Sequence, residues 1–239
     1  MSLNDYIVIS VLLTGMVLSV LLKKLTLMAA ITGGVVGLLV YTGAGFTGIW
    51  MMAGFFILGT VATTWNVAKK VQLNAAEVNN GQRKASQVLA NAGVGALAGA
   101  ICLLYPAYQP ALQVVIAASF CSATADTLSS ELGTIYGKNF YNILTLRKDQ
   151  RGLDGVVSLE GTLIGVAGSA IIAFIYCLKF GWPYFGWLIV CGTIGNLADS
   201  VLGAALERHH VIKNDTVNFL NTLIAGAAAF VIYLLSNDW

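Results

Sequence analysis

The sequence predicts an all-α, polytopic transmembrane bundle of about eight helices, and three observations lead there. Of the 239 residues, 57% are hydrophobic and only 10% are charged, against roughly 25% charged residues in soluble domains. Mean hydropathy is +0.79, so a soluble chain of this length would lack the polar shell that water requires, whereas a bilayer requires none. Apolar runs of about 17–25 residues, the length a helix needs to cross the hydrocarbon core, recur along the whole chain. It is therefore read as a single transmembrane domain, residues 1–239.

In order, the runs cover residues 5–22, 25–42, 47–67, 85–105, 110–133, 157–179, 183–206 and 216–235. The first has spanning length, has no basic segment before it and is followed by Lys23 and Lys24, so it is expected to be a retained span rather than a cleaved signal. A Gly-rich stretch from Thr42 to Thr47 separates the second and third runs, and Tyr105–Pro106 separates the fourth and fifth. Pro110 and Pro183 stand at helix starts, where proline's missing N–H is harmless. Gly93, Gly95, Gly99, Gly161, Gly165 and Gly168 suit close helix packing. Cys102, Cys121, Cys177 and Cys191 all lie within apolar runs and lack metal-ligand spacing, which makes them small buried hydrophobes.

The basic residues are partitioned. Every one of the 13 except Lys179 falls between spans one and two, three and four, five and six, or seven and eight. By the positive-inside rule these segments face the cytoplasm, which leaves both termini outside. A net charge of +2 gives no electrostatic basis for binding nucleic acid.

Ionisable groups inside spans are costly and functional by default. Here they are Asp126 and Glu131 late in the fifth span, Glu160 early in the sixth and Asp199 late in the seventh, with Asp215 opening the eighth. With Gln87, Asn91, Asn196, Asn218 and Asn221, they all fall toward the expected cytoplasmic end. Arg83, Gln87 and Asn91 are spaced i, i+4, i+8 and form one stripe. Asp126 and Glu131 are about 140° apart on their helix, so they flank a pocket without pointing in one direction. Asn196, Asp199 and Gly203 share one side of their helix, as do Asn218, Asn221 and Thr222 of theirs.

Carboxylates from different helices, facing amides and a basic rim, make an oxygen-rich site for Mg²⁺ and phosphate. Asp126, Glu131 and Asp199 are the candidate catalytic and metal-binding residues. Arg83, Gln87, Asn91, Ser130, Arg147, Ser158, Asn196, Asn218 and Asn221 are the candidate phosphate- and substrate-binding residues. Helix starts at Ser86, Ser158 and Thr216 add backbone N–H groups on the same face. Blander roles compete. Asp126 and Asp199 would also serve as interhelical hydrogen-bonding glue, Glu131 and Glu160 as solvated interfacial residues, and His209 and His210 as a wet loop. No GxxxxGK[ST] sequence is present, and no GxGxxG follows a strand, so a nucleotide would be held by helix ends and loops.

A weak internal echo links Ser122–Ser129 with Asn196–Leu202, each followed by a basic loop and a small-residue helix. Thr63-Thr64 and the helix from Ser86 repeat the plan, so the bundle is expected to contain three related hairpins around a shared centre.

Four strings, in order, carry a family resemblance: Gly81-Gln-Arg-Lys-Ala-Ser-Gln-Val-Leu-Ala-Asn-Ala-Gly93, Ala125-Asp-Thr-Leu-Ser-Ser-Glu-Leu-Gly133, Asp154-Gly-Val-Val-Ser-Leu-Glu-Gly-Thr162 and Gly195-Asn-Leu-Ala-Asp-Ser-Val-Leu-Gly-Ala204. They resemble the integral-membrane family of transmembrane protein 19 and the plastid phytyl-phosphate kinase, the domain of unknown function 92 family, over nearly the whole chain. The resemblance implies phosphorylation of an isoprenyl monophosphate to its diphosphate, with a nucleoside triphosphate as donor, CTP among the candidates. It places Arg83, Gln87 and Asn91 in the first motif, Asp126, Thr127, Ser130 and Glu131 in the second, Asp154, Gly155 and Ser158 in the third, and Asp199 and Ser200 in the fourth. Glu160 departs from the family pattern, which has an apolar residue there in a more glycine-rich motif. The partners expected are an isoprenoid lipid phosphate, a nucleotide and membrane lipid. The competing reading is a transporter of a small or lipid-linked anionic solute, whose site should lie near the bilayer midplane.

Overall fold

A computed structural model describes residues 3–73 and 81–237. Helices α1 (Leu3–Leu21), α2 (Leu27–Thr64), α4 (Ala85–Leu104), α5 (Gln109–Tyr136), α6 (Leu159–Phe180), α7 (Phe185–Leu202) and α8 (Asn214–Asn237) carry the apolar runs, and α3 (Val67–Gln72) is a short connector. Seven helices among the described residues are long and apolar enough to cross a membrane.

The longest of them folds back on itself. At Gly45 the backbone takes φ 58° and ψ −149°, a conformation open to glycine and strained for other residues. The second and third expected spans are therefore the two arms of α2. A Cβ added at Gly37 would lie 3.0 Å from Met52 Cε, and Phe56 packs on Ala29 and Ala30. The expected turn over Thr42–Thr47 is thus concentrated in one residue. Thr42 stays helical, its hydroxyl donating to Leu39 O at 2.7 Å and Gly99 O at 2.9 Å.

Helix α5 is the central staff, with 89% of its most apolar window buried against 17% for α1. It packs on α2, α4, α6, α7 and α8, whereas α1 packs chiefly on α2. Phe120, Ile116, Ile172, Leu188 and Cys191 are fully enclosed in the core, and all four cysteines are free and buried. Helix packing is close where glycines face it. At Gly165 an added Cβ would lie 2.9 Å from Ala125 O, and at Gly168 3.2 Å from Thr124 Cγ2.

Two features interrupt the all-helical plan. The α5–α6 connection forms a two-stranded antiparallel hairpin, β1 (Tyr141–Asn142) with β2 (Val156–Val157). Its turn is held by the Asn142 side chain, which accepts from the backbone N–H groups of Leu144 and Thr145 at 3.0 and 3.1 Å. After α7 the chain continues as a π-helical turn over Gly203–Glu207.

Candidate functional site

Three helical pairs run to the same end of the bundle and back: the second arm of α2 with α4, α5 with α6, and α7 with α8. Between them lies a polar cavity of about 280 Å³, lined by Thr63, Gln87 and Asn91 from the first pair, Asp126 and Ser158 from the second, and Asp199 and Asn218 from the third.

Asp126 and Asp199 meet there. Their carboxyl groups lie close enough to interact directly, and Ser130 lines the cavity beside Asp126. Asn221, fully buried on α8, supports Asp199 from behind. Its Nδ2 donates to Asp199 Oδ1 at 2.7 Å, and its own Oδ1 accepts from Ser122 Oγ at 3.0 Å. Two carboxylates so close in a poorly solvated place repel strongly unless a proton or a cation offsets them.

Of the stripe expected on one helix, Gln87 and Asn91 lie on α4 and line the cavity, while Arg83 precedes the helix. Asn91 Nδ2 donates back to Gln87 O at 2.9 Å, while Asn91 Oδ1 is buried with no partner, as is Asn218 Oδ1 across the cavity. Buried polar atoms are rarely left unpaired, so two such atoms facing one cavity mark a place suited to a polar ligand. Arg83 enters from the segment before α4. Its backbone pairs with Lys24 and Thr26, and its guanidinium lies over the rings of Phe55 and Phe56 at 5.3 and 5.8 Å. Ser158 caps α6, its hydroxyl accepting from Gly161 N at 3.1 Å, and so presents that helix N-terminus at the cavity.

Glu131 also lines the cavity, but its carboxylate is already engaged. Lys70 of α3, only 2% exposed, reaches in and donates to Glu131, to Ala62 O at 2.7 Å and to Thr63 O at 3.0 Å. Among the expected site residues, Arg147 stands exposed on the β1–β2 loop and Asn196 is buried with its amide against α6 at Gly165. Neither lines the cavity. Glu160 also lies outside it and accepts from Lys138 N at 3.3 Å.

Two carboxylates join the site that were not among the expected ligands, Asp154 and Glu207. Asp154 belongs to the third motif. Gly155, beside it, has φ +73° and presses on Ala204 of the π turn, where an added Cβ would meet Ala204 N at 2.5 Å. That contact fixes Asp154 over the end of α7. Glu207 had a signal: it extends the Asp199, Gly203 spacing by one further step of four.

Among the described residues no group of three or more His, Cys, Asp and Glu side chains is placed to hold a metal ion. The donor set nevertheless suits Mg²⁺. It is all oxygen, it offers the neighbouring carboxyls of Asp126 and Asp199, and Mg²⁺ usually takes one or two carboxylates and completes its shell with water and substrate phosphates.

Outside the membrane-crossing helices, Asp149 and Arg208 bridge the β1–β2 loop to the α7–α8 loop at 2.6 Å. The hydrogen bond from Arg208 holds the Asp149 carboxyl below its ordinary range. Arg151 stacks on Phe140 at 4.5 Å and donates to Gly137 O at 3.0 Å, which fastens the same loop to the end of α5.

The chain is 30% identical over 215 residues to Protein VTE6, chloroplastic, of Arabidopsis thaliana, a match covering 84% of this chain and 63% of that relative. It is 32% identical over 226 residues to an uncharacterized membrane protein of Methanocaldococcus jannaschii, covering 91% and 90% of the two chains. It is likewise 32% identical over 208 residues to one of Synechocystis, covering 83% and 78%. No solved structure is significantly similar to it. The pattern of the family described as Integral membrane protein DUF92 matches residues 9–226, so this multi-pass membrane chain belongs to the DUF92 family.

Proposed function

We propose that the protein is a prenyl-phosphate kinase that transfers the γ-phosphoryl group of a nucleoside triphosphate to a membrane-embedded isoprenyl monophosphate. The observation that carries this reading is the meeting of Asp126 and Asp199 in a polar cavity whose other walls offer Arg83, two unpartnered amide oxygens and a helix N-terminus. The family resemblance supplies the substrate class.

In the reaction, an oxygen of the prenyl monophosphate attacks the γ-phosphorus. A new P–O bond forms, the bond to the β-phosphate oxygen breaks, and the nucleoside diphosphate leaves. A phosphate monoester with a second pKa near 6 is already largely dianionic at neutral pH, so the nucleophile needs no base. The carboxylates are then free for charge neutralisation, which with positioning is most of what phosphoryl transfer requires. Asp126 and Asp199 would hold Mg²⁺, which when bound neutralises phosphate charge. Asn221 and Ser122 keep the Asp199 carboxylate aimed at Asp126. Arg83 binds and orients the acceptor phosphate with its planar fork, Gln87 and Asn91 order it deeper in the cavity, and the start of α6 at Ser158 offers backbone N–H groups to a second phosphate. Asp154 and Glu207 close the side nearest α8. The cavity is read as facing the cytoplasm, on the partition of basic residues.

The test is direct. Purified protein in nanodiscs receives farnesyl, geranylgeranyl or phytyl monophosphate with Mg²⁺ and each of the four nucleoside triphosphates. Prenyl diphosphate forms with at least one donor, in equal amount to the nucleoside diphosphate. No diphosphate from any of these pairs overturns the proposal.

A further inference from the structure

Next to the polar cavity lies an apolar groove of about 200 Å³ between α1, the two arms of α2 and the start of α4. Of the described residues that line it, only Ser19, Arg83 and Gln87 are polar. The Ser19 hydroxyl is already used, donating to Met16 O at 2.9 Å. Arg83 and Gln87 line both spaces, so they stand at the boundary, with the Arg83 guanidinium over the Phe55 and Phe56 rings that form the groove's wall.

We propose that this groove holds the isoprenoid tail of the same lipid monophosphate whose head group Arg83 binds in the polar cavity. The assignment of the occupant rests on the kinase reading, and the geometry of the groove supports it in three ways. An amphiphile whose phosphate lies at Arg83 has its first tail carbons where the groove begins. The groove offers no unsatisfied polar group along its length, so a hydrophilic solute gains nothing by entering it. Its space is also made by missing side chains: a Cβ added at Gly15 or at Gly33 would find no atom within 4 Å. Helix α1, with 17% of its window buried and packed chiefly on α2, forms the outer wall. A lipid therefore enters sideways from the bilayer past α1. A tail leaving lipid for the groove gains little from the hydrophobic effect, because lipid is equally apolar. Selection then comes from shape, and filling the groove should exclude long tails before short ones.

Two measurements test this. In the first, Gly33→Leu and Gly15→Leu proteins are compared with the parent on C10 and C20 prenyl monophosphates. The ratio of C20 to C10 turnover falls by about tenfold in either variant, the scale on which a pocket discriminates by methylene-sized differences. In the second, without nucleotide, a C20 prenyl monophosphate with a diazirine near its tail end is photolysed in nanodiscs. Adducts are expected at the end of the groove away from Arg83, on α1 around Val11 and Leu12 and on α2 between Ile49 and Met52, and unlabelled prenyl monophosphate should suppress them while phospholipid does not.

Labelling of the groove without turnover keeps the tail site and removes the kinase reading. Turnover with an unchanged C20 to C10 ratio, or with adducts on other helices, removes the tail site and keeps the kinase reading. Suppression by plain phospholipid would assign the groove to bulk lipid and overturn the proposal.

Discussion

Replacing Lys70 with methionine tests what the Glu131 carboxylate is for. The Lys70 side chain is 2% exposed and that of Glu131 is 11% exposed. The three ammonium protons go to Glu131, Ala62 O and Thr63 O. Methionine keeps the stem and removes the charge, which leaves a carboxylate with no counterion and two carbonyls without their donor. Removing one partner of a buried pair costs about 3–5 kcal/mol, so Lys70→Met should be destabilised by about that amount. Glu131→Gln strands the ammonium and should be destabilised comparably. The double variant removes both charges, and contacting residues couple by about 0.5–3 kcal/mol, so it should lose less than the two single losses added together. Thermal unfolding of the four proteins in one detergent measures the cycle. Wild-type stability in Lys70→Met, or strictly additive losses, would refute the pairing. Prenyl-phosphate turnover by the double variant then decides the role of Glu131. Activity in a folded double variant makes it the anchor of α3 at the cavity rim, the outcome expected from the geometry. A folded and inactive one returns its carboxylate to the reacting site.

Asp126→Asn and Asp199→Asn should each lower phosphoryl transfer by about a hundredfold or more, the scale of losing one transition-state electrostatic contact, in protein that still inserts and elutes as a single species. Arg83→Lys carries the same charge without the planar fork, and charge-assisted hydrogen bonds contribute about 1.5–3 kcal/mol. Turnover should therefore drop by about tenfold or more, whereas full activity would leave Arg83 as a topological anchor. The Asp149–Arg208 bridge depends on pH in one direction. The folded-state Asp149 value is depressed by Arg208, so its stabilisation is complete above the unfolded aspartate value of about 3.9 and is lost as pH falls through the lower folded one. Hydrogen-exchange protection of residues 144–150, taken relative to the intrinsic rate at each pH, should be high at neutral pH, fall on acidification and be low at both pH values in Arg208→Gln. Reporter fusions at residues 145 and 210 should read cytoplasmic and one at 107 external; a cytoplasmic signal at 107 would reverse the placement of the site.

The spans were legible because each is a continuous apolar run between polar ends. The site was legible where helix periodicity alone defines a face: Gln87 and Asn91 share a wall, and Asp126 and Asp199 lie at matching depth and meet, whereas Arg83 reaches the same cavity from the extended segment before α4. What escaped depends on local departures from that periodicity. Lys70 reads as one of many interfacial lysines, and only the six-residue α3 folding back under the end of α2 carries it inside. Glu207 is the last residue of a π turn, and its place four residues beyond Gly203 was its one signal in the sequence. The β1–β2 hairpin is too short to leave an alternating pattern. Arg147 looked like a phosphate ligand because it lies in a basic loop, but its position within that hairpin turns it away from the cavity. Asn196 shares a helix with Asp199, yet their side chains part, one toward α6 and the other toward α5 and α8.

The separation of the two central carboxylates is set by residues that carry no charge. Asp126 lies four residues after Ser122 on α5, and Asp199 four residues after Gly195 on α7. A Cβ added at Gly195 would lie 2.0 Å from Ser122 Oγ and 2.8 Å from Asn221 O, and one at Gly192 would lie 2.8 Å from Cys121 Cβ. Any side chain at Gly195 would thus push α7 away from both α5 and α8, one turn before the carboxylates meet. The same Ser122 hydroxyl donates to Asn221, which donates to Asp199, so the contact that admits the helices also orients the acid. Helix-packing glycines in membranes commonly serve close approach. Here that approach brings two acids from different helices together in one cavity, at the end of the bundle where a charged head group and an apolar tail can be held at once.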